Sequence, residues 1–363
     1  KIVNPNKQTL EDRRTYFVSR LSYRALPKEL IEKEIIEEVK AGGESTASFQ
    51  RECMALFSSS SDGYFNIRKL HSCTVKDGDL PCVQLRGTPE SKYLVAIDPS
   101  FSSSKSSDFF AMGVYLLNPD NRSLIQVHTY GVAGGELKDH IRYLYYILTN
   151  FNVVFLIGDF GGANFDFIQT VNESAYFIDR NIKLQFVEGN FDSEDYLTEL
   201  KNAKNSYRLL DRKFCYRQLF GSEWIRKANE HLQAQIDYEK VWFASRLSAH
   251  ETMFQKALET EVPVIFKDKN DQEMKMFDFI ANQDDFIEQT KRQLALIEVK
   301  TTVQGTMQFD LPQHLKRSKS VGRSRRDNYT CLLMACWGAK AYMDMIFSSN
   351  EPVYTTFEPI IIR

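Results

Sequence analysis

The chain has 363 residues, of which 43% are hydrophobic and 26% are charged, and its formal net charge is −2 at pH 7. This is the balance of a soluble globular protein with room for two domains, and it excludes a chain that attracts nucleic acid through its overall charge. The six cysteines include no Cys-x-x-Cys pair, which favours a reduced, cytosolic protein without a structural zinc or a disulfide framework. No apolar run approaches the roughly 18 residues of a membrane span, and no signal peptide is visible.

The first part of the chain is predicted to be mainly helical, over residues 8–57. The stretch "LPKELIEKEIIEEVKAGG" has a proline near its start, apolar residues at helical spacing and two glycines at its end. A linker, "SSSSDGYF", follows, and residues 65–91 are predicted to form irregular strands rich in turns. Because the first residue is Lys1 and not methionine, we expect a fragment or a processed product.

From Tyr93 onward the pattern changes to alternating strands and helices. Predicted strands at 93–98, 109–119 and 123–132 have short connections, which is typical of an antiparallel meander. A helix at 135–151, a wholly apolar strand at 153–160, a further helix and a strand at 182–190 follow. The apolar strand is predicted to be central and parallel to the first. This succession predicts an α/β ribonuclease H-like fold, with a central mixed sheet flanked by helices and a mainly helical segment before it.

The remaining elements are predicted from shorter signals. They are a long helical stretch at about 195–235, a strand "KVWFAS", a helix near 248–259, a hairpin over 262–280 turning at Asn270-Asp271, a helix at 284–297 and an apolar helix at 327–346. The hairpin is interpreted as an insertion, and no chemical role is assigned to it.

Two of the predicted strands end in an aspartate. "KYLVAIDPSF" delivers Asp98 and "VVFLIGDFGG" delivers Asp159. Asp98 alone is interpreted first as a turn residue, since Asp-Pro-Ser is good turn chemistry. However, neighbouring parallel strands place both carboxylates at one edge, where two such charges repel by several kcal/mol in a partly buried site. A shared divalent cation relieves that repulsion, and oxygen ligands suit Mg²⁺ or Mn²⁺.

A third carboxylate, Asp327, begins the last apolar helix. It is interpreted either as a helix N-cap or as a ligand, because this helix must pack on the sheet and its first turn can lie at the same edge. Three carboxylates from two strand ends and one helix start fit a two-metal site for phosphodiester hydrolysis. Asp108, at the start of the second strand, is a weaker candidate that either contacts a metal, supports the ligands or forms a turn.

A basic loop leads directly into Asp327. "LKRSKSVGRSRRD" carries six cationic residues, namely Lys316, Arg317, Lys319, Arg323, Arg325 and Arg326. Such a run is often only a solvated surface. Its position beside the predicted carboxylates favours binding of a nucleic-acid backbone, with a steep salt dependence and little sequence specificity.

Several segments together resemble a known family. "LVAIDPSF", "VVFLIGDF", "KVWFAS", "QTKRQLALIEVKTT" and "RRDNYTCLLMACWGA" look like the nuclease domain of a tailed-bacteriophage terminase large subunit, the motor that packages viral DNA into a procapsid. The resemblance covers about 90–347, and the upstream "ALPKELIEKEIIEEVKAGGESTASFQRECMALF" is similar to the helical stretch between the ATPase and nuclease domains of that family. It implies residues 1–88 as a helical linker or the end of an ATPase domain, 89–347 as the nuclease domain and 348–363 as a tail.

The resemblance also implies a function. It predicts an endonuclease that cuts concatemeric double-stranded DNA, with two Mg²⁺ or Mn²⁺ ions held by Asp98, Asp159 and Asp327. It implies the portal protein and a small terminase subunit as partners, and no association with a membrane. The implied location is the cytoplasm of the infected host cell, and the protein is not expected to be a stable component of the virion. One departure is plain, since the chain has no GxxxxGK[ST] phosphate loop and so lacks the ATPase part; we expect truncation before Lys1.

Three other functions remain open from the residues. A recombinase or transposase of the same fold also uses three carboxylates, but its nucleophile is a 3′ hydroxyl. A sugar-kinase or actin-like ATPase needs a glycine-rich loop after the first aspartate, and "PSFSSSKSSD" contains none. A non-catalytic DNA-binding module does not need Asp98. His128 and His140 are interpreted as structural.

Overall fold

The computed structural model describes residues 22–25, 27, 31, 35, 63–101, 108–160, 166–187, 211–259, 274–301, 306–312 and 326–348. The chain divides into two units, Lys1–Asp62 and Gly63–Arg363. In the first unit, the described residues include one 3-10 turn, Tyr23–Ala25. The second unit contains the sheet and the candidate site.

The second unit is built from nine strands and eight α-helices within its described residues. The strands are β1 (Lys92–Asp98), β2 (Phe110–Asn118), β3 (Ser123–Val132), β4 (Val153–Gly158), β5 (Ile182–Val187), β6 (Asp211–Arg217), β7 (Val241–Phe243), β8 (Glu298–Thr301) and β9 (Met307–Asp310). The helices are α1 (Ile67–Ser72), α2 (Leu137–Asn150), α3 (Asp166–Glu173), α4 (Ala175–Ile178), α5 (Ser222–Asp237), α6 (Glu251–Leu258), α7 (Met276–Leu296) and α8 (Asp327–Ser348).

Seven strands form one mixed sheet in the order β5-β6-β4-β1-β2-β3-β7. Strands β1, β2 and β3 form the predicted antiparallel meander, and β4 pairs parallel with β1. Strand β6 pairs parallel with both β4 and β5, and β7 pairs parallel with β3. Strands β8 and β9 form a separate antiparallel pair. The predicted fold class, a ribonuclease H-like mixed sheet flanked by helices, is confirmed.

The centre of the sheet is apolar because helices cover both of its faces. On one face α8 packs closely against β1 and β4, and a Cβ added at Gly338 of α8 would lie 3.0 Å from the ring of Phe155. On the other face the ring of His140 in α2 stacks on that of Phe110 in β2, with 4.1 Å between the ring centroids. Burial on both faces explains why β1 and β4 are continuous apolar runs.

The structure corrects the prediction of one long helical stretch at about 195–235. Residues Asp211–Arg217 form β6, which lies between β4 and β5, and the helix of this region begins only at Ser222. The segment "DRKFCYR" has charges at both ends and only three apolar residues. Its strand conformation therefore depends on two parallel neighbours that are distant in sequence, which local pattern does not reveal.

Two further predictions of secondary structure are wrong in part. The predicted hairpin over 262–280 includes Met276–Ile280, which form the first turns of α7, so this helix is longer than the predicted 284–297. Residues 260–273 lie outside the described part of the chain. The predicted irregular strands at 65–91 contain the helix α1 and isolated bridges to Phe243 and Ser245.

Residues 63–88 pack with the sheet, although the sequence analysis placed them with the preceding segment. The N–H of Val75 donates to the carbonyl of Phe243 (2.9 Å), and that of Gln84 donates to the carbonyl of Val127 (2.8 Å). These residues belong to the same unit as the sheet. Within the described helices, none combines the length and apolarity required to cross a membrane.

Candidate active site

Asp98 and Asp159 stand at adjacent strand ends. Ile97 pairs with Gly158 in the parallel ladder, and the N–H of Asp159 donates to the carbonyl of Ile97 (3.2 Å). The next positions along the two strands are Asp98 and Asp159, and neighbouring strands lie about 4.8 Å apart. The register therefore places the two carboxylates side by side, as the apolar runs predicted.

Gly158 permits close packing at the strand end directly before Asp159. A Cβ at this position would lie 2.4 Å from the ring of Phe160 and 2.9 Å from the carbonyl oxygen of Ile97. Phe160 is itself fully buried and stacks on Phe167 with 6.1 Å between ring centroids. Any side chain at Gly158 would displace the strand end that carries Asp159.

Asp327 reaches the same edge from the first residue of α8. Its side chain is buried, and its Oδ2 accepts a hydrogen bond from the N–H of Phe109 (2.8 Å), directly before β2. The same turn of α8 is fixed to two other helices. Tyr329 donates its hydroxyl to Oδ1 of Asn229 in α5 (2.6 Å), and its N–H to Oε1 of Gln293 in α7 (2.9 Å).

All four predicted carboxylates line one cavity of about 370 Å³. The acidic residues are Asp98, Asp108, Asp159 and Asp327, and Arg326 and Thr330 lie beside them in the lining. Aromatic side chains complete the wall, among them Phe109, Phe220, Phe309 and Tyr329. The structure thus brings together residues that are far apart in the sequence, from the first strand of the sheet to the last helix.

The cavity concentrates negative charge. The pKa of Asp98 is raised well above the ordinary value, chiefly by burial and then by the charges of Asp327 and Asp159. The nearby Arg326 and the hydroxyl of Thr330 act in the opposite direction without cancelling the effect. Repulsion among these carboxylates is what a bound cation relieves.

The residues fit a hard divalent cation by their chemistry and location. Carboxylate oxygens are the ligands that Mg²⁺ and Mn²⁺ prefer. They do not form a finished cage, because among the described residues no three His, Cys, Asp or Glu side chains are grouped closely enough to hold an ion. The fit is therefore one of ligand chemistry and of shared location in one cavity.

Arg326 is the described member of the basic loop. It is 51% exposed, lines the cavity, and its Nη1 lies 3.3 Å from Oδ1 of Asp310 at the end of β9. The other five cationic residues, Lys316, Arg317, Lys319, Arg323 and Arg325, lie outside the described residues. Their contact with nucleic acid stays a prediction.

Sequence reasoning missed three residues of this region. Thr330 follows Asp327 by three positions, a helical spacing that places both on one side of α8 and could have identified it. Asp310 lies in the segment "MQFDLP", but its pairing with Arg326 depends on how β9 packs. Gln218 follows β6, and the prediction of a helix there concealed its position at a strand end.

Comparison with known proteins gives matches among solved structures alone. No family model matches the chain, and a search of curated proteins gives no match. The large terminase nuclease from thermophilic phage G20c is 10% identical, with a TM-score of 0.39 over 77% of this chain and 98% of that one. The nuclease domain of the large terminase subunit of bacterial virus Sf6 is 11% identical, with a TM-score of 0.37 over 76% and 98%.

A longer neighbour is the large terminase of another thermophilic bacteriophage, 9% identical with a TM-score of 0.39, where 88% of this chain covers 52% of that one. Structures of the G20c nuclease contain bound magnesium or cobalt, and structures of a mutant of the Sf6 domain contain manganese. These solved structures are of phage large terminases or of their nuclease domains.

Proposed function

We propose that the chain is the nuclease part of a viral DNA-packaging motor, an endodeoxyribonuclease that cuts concatemeric double-stranded DNA by metal-dependent phosphodiester hydrolysis. The observation that carries this proposal is the single cavity in which Asp98, Asp108, Asp159 and Asp327 stand together beside Arg326. This arrangement combines carboxylate ligands for cations with a positive side chain that can bind a phosphate of the DNA backbone.

The carboxylates hold the cations. Asp98, next to Asp159 in the sheet and electrostatically coupled to Asp327, would bind both of two Mg²⁺ or Mn²⁺ ions, and Asp159 and Asp327 would bind one each. Asp108 supports the site from the start of β2. When bound, the ions activate water for in-line attack and neutralise charge on the phosphate. The protein contributes rigid positions for its ligands, because two of them end buried strands and the third begins an anchored helix.

Arg326 and the basic loop hold the DNA backbone. Four carboxylates repel a polyanion, so a cationic group at the rim and cations inside are both required for a phosphate to approach. Arg326 lies at that rim, and Lys316, Arg317, Lys319, Arg323 and Arg325 extend the positive run along the sequence. Contacts to phosphates without contacts to bases favour cleavage with little sequence specificity.

The wider biological role is proposed from the sequence motifs. Residues 1–88 are assigned to the connection with an ATPase part, residues 89–347 to the nuclease domain, which residues 63–88 join structurally, and 348–363 to a tail. The portal protein and a small terminase subunit are the proposed partners, and the cytoplasm of the infected host cell is the proposed location.

Cleavage of a supercoiled plasmid tests the proposal, because a circle without ends is cut only by an endonuclease. We expect linear and then degraded DNA with Mg²⁺ or Mn²⁺ and none with EDTA. Asp98→Asn, Asp159→Asn and Asp327→Asn should each reduce the rate at least about 100-fold, the equivalent of some 3 kcal/mol of transition-state stabilisation. Asp120→Asn is the matched control, since Asp120 is exposed in the turn between β2 and β3.

Other products would contradict the proposal in identifiable ways. Joining of a 3′-hydroxyl oligonucleotide to the plasmid would indicate a recombinase or transposase. Metal-independent DNA binding without cleavage, unchanged by Asp98→Asn, would indicate a binding module.

A further inference from the structure

A third strand end lies in the same row as the two strand-end carboxylates, and it carries Gln218. In the parallel ladder between β4 and β6, Gly158 pairs with Arg217, and the N–H of Gln218 donates to the carbonyl of Gly158 (2.9 Å). Gln218, Asp159 and Asp98 therefore occupy successive places across β6, β4 and β1, at about 4.8 Å per strand. Side chains at equivalent register positions lie on one face of a sheet.

The amide of Gln218 is only half satisfied. The residue is 5% exposed, and its Nε2 donates to the carbonyl of Leu219 (2.8 Å). Its Oε1 is buried and has no hydrogen-bond partner among the described residues. Buried acceptors are rarely left without a partner, and each exception calls for an explanation such as strain, a catalytic role or a bound water or ion.

The segment that carries Gln218 borders the acidic cavity. Phe220, two residues further on, lines the acidic cavity, so the segment after β6 forms part of its wall. The neighbouring group in the row is the carboxylate of Asp159, which cannot donate a hydrogen bond when ionised. An amide oxygen beside a carboxylate is unfavourable unless a positive group lies between them.

We propose that Gln218 is a further ligand residue, whose Oε1 supplies a neutral oxygen to the cation held at Asp159. The inference rests on the proposed function, since it requires a cation in the cavity. Amide oxygens are ordinary ligands of hard cations. A neutral ligand also completes coordination without adding a fifth negative charge to the cavity.

Binding of Mn²⁺ alone to the full chain tests this assignment, measured by isothermal titration calorimetry and by the electron paramagnetic resonance signal of free Mn²⁺. Gln218→Met keeps the length of the side chain but removes the oxygen, and should weaken Mn²⁺ binding about 10–100-fold. Gln218→Glu adds a charged oxygen and should tighten it. Gln255→Met, the same change on the exposed surface of α6, should leave the affinity unchanged.

The outcomes separate this inference from the proposed function. Equal Mn²⁺ affinity of the wild type and Gln218→Met, or no gain with Gln218→Glu, would overturn the role of Gln218 while leaving plasmid cleavage intact. Absence of Mn²⁺ binding by the wild type would overturn the proposed function, and the role of Gln218 with it. Reduced Mn²⁺ binding by Gln218→Met together with increased Mn²⁺ binding by Gln218→Glu would establish Gln218 as a ligand. Both measurements are independent of DNA cleavage.

Discussion

Replacing Asp98 with asparagine should stabilise the metal-free protein while abolishing metal-dependent cleavage. The carboxylate of Asp98 is held beside Asp159 and Asp327, and burial together with these two charges raises its pKa well above the ordinary value. Asparagine has nearly the same shape and carries no charge. The substitution therefore removes repulsion and leaves the packing of the strand end in place.

The size of the effect follows from the spacing of the strands. Two unit charges about 4.8 Å apart at an effective dielectric constant of about 20 repel by about 3 kcal/mol. Asp98 is partly open to the cavity, and Arg326 offsets part of the repulsion, so the expected gain is about 1–3 kcal/mol. For a protein of this size, with an unfolding entropy of about 2.1 cal/mol/K per residue, that gain raises Tm by roughly 1–4 °C.

The dependence on pH distinguishes this cause from a general packing effect. A carboxyl group whose pKa is higher in the folded state binds its proton more tightly there, so its stabilising contribution is complete below the unfolded pKa of about 4. It is lost as the pH rises through the raised value. The advantage of Asp98→Asn should therefore grow between pH 4 and pH 8 in urea unfolding with EDTA, whereas Asp120→Asn should show no such trend. A variant that is less stable than the wild type at pH 8, or a difference independent of pH, would refute the reasoning.

Two further predictions concern the rim of the cavity and the core. Arg326→Gln should weaken binding of DNA of any sequence and lower the slope of log affinity against log salt by about one, as measured by fluorescence anisotropy. Arg180→Gln, on the exposed surface after α4, is the control, and an unchanged slope for Arg326→Gln would exclude a phosphate contact. His128 is fully buried, with Nε2 2.7 Å from the hydroxyl of Tyr143, and burial lowers its pKa to about 4. Because the unfolded chain takes up that proton near pH 6.5, stability should fall by about 3 kcal/mol as the pH falls from about 6.5 to about 4. His128→Gln should flatten this slope in urea unfolding, and identical slopes would contradict a neutral buried histidine.

The central strands could be predicted from sequence because their signal is local. Strands β1 and β4 are covered on both faces, so their residues are almost all apolar. Each can therefore be recognised from its own sequence as a buried strand. Strand β6 has no such signal. It pairs with β4 on one side and with β5 on the other. A segment with three charged residues at its start does not by itself predict either pairing.

The same contrast explains what could be predicted of the site. Asp98 and Asp159 each follow an apolar run, and the order of elements alone places those runs side by side. Asp327 was identified by its place before an apolar helix. Gln218 could not be identified, because its position in the row follows from the pairing of β6. The pairing of Arg326 with Asp310 likewise depends on the packing of β9.

The acidic cavity persists in the folded protein because each of its ligands belongs to an element that is stabilised elsewhere. Asp98 ends a strand whose preceding five residues, Tyr93–Ile97, are fully buried, and that burial exceeds the cost of the charge at its end. Asp159 follows a glycine that no larger residue can replace without moving the carbonyl of Ile97. Asp327 begins a helix that Tyr329 fixes to two neighbouring helices. Repulsion among the carboxylates is thus opposed by packing that does not involve them, which leaves the charges close together and available to a cation.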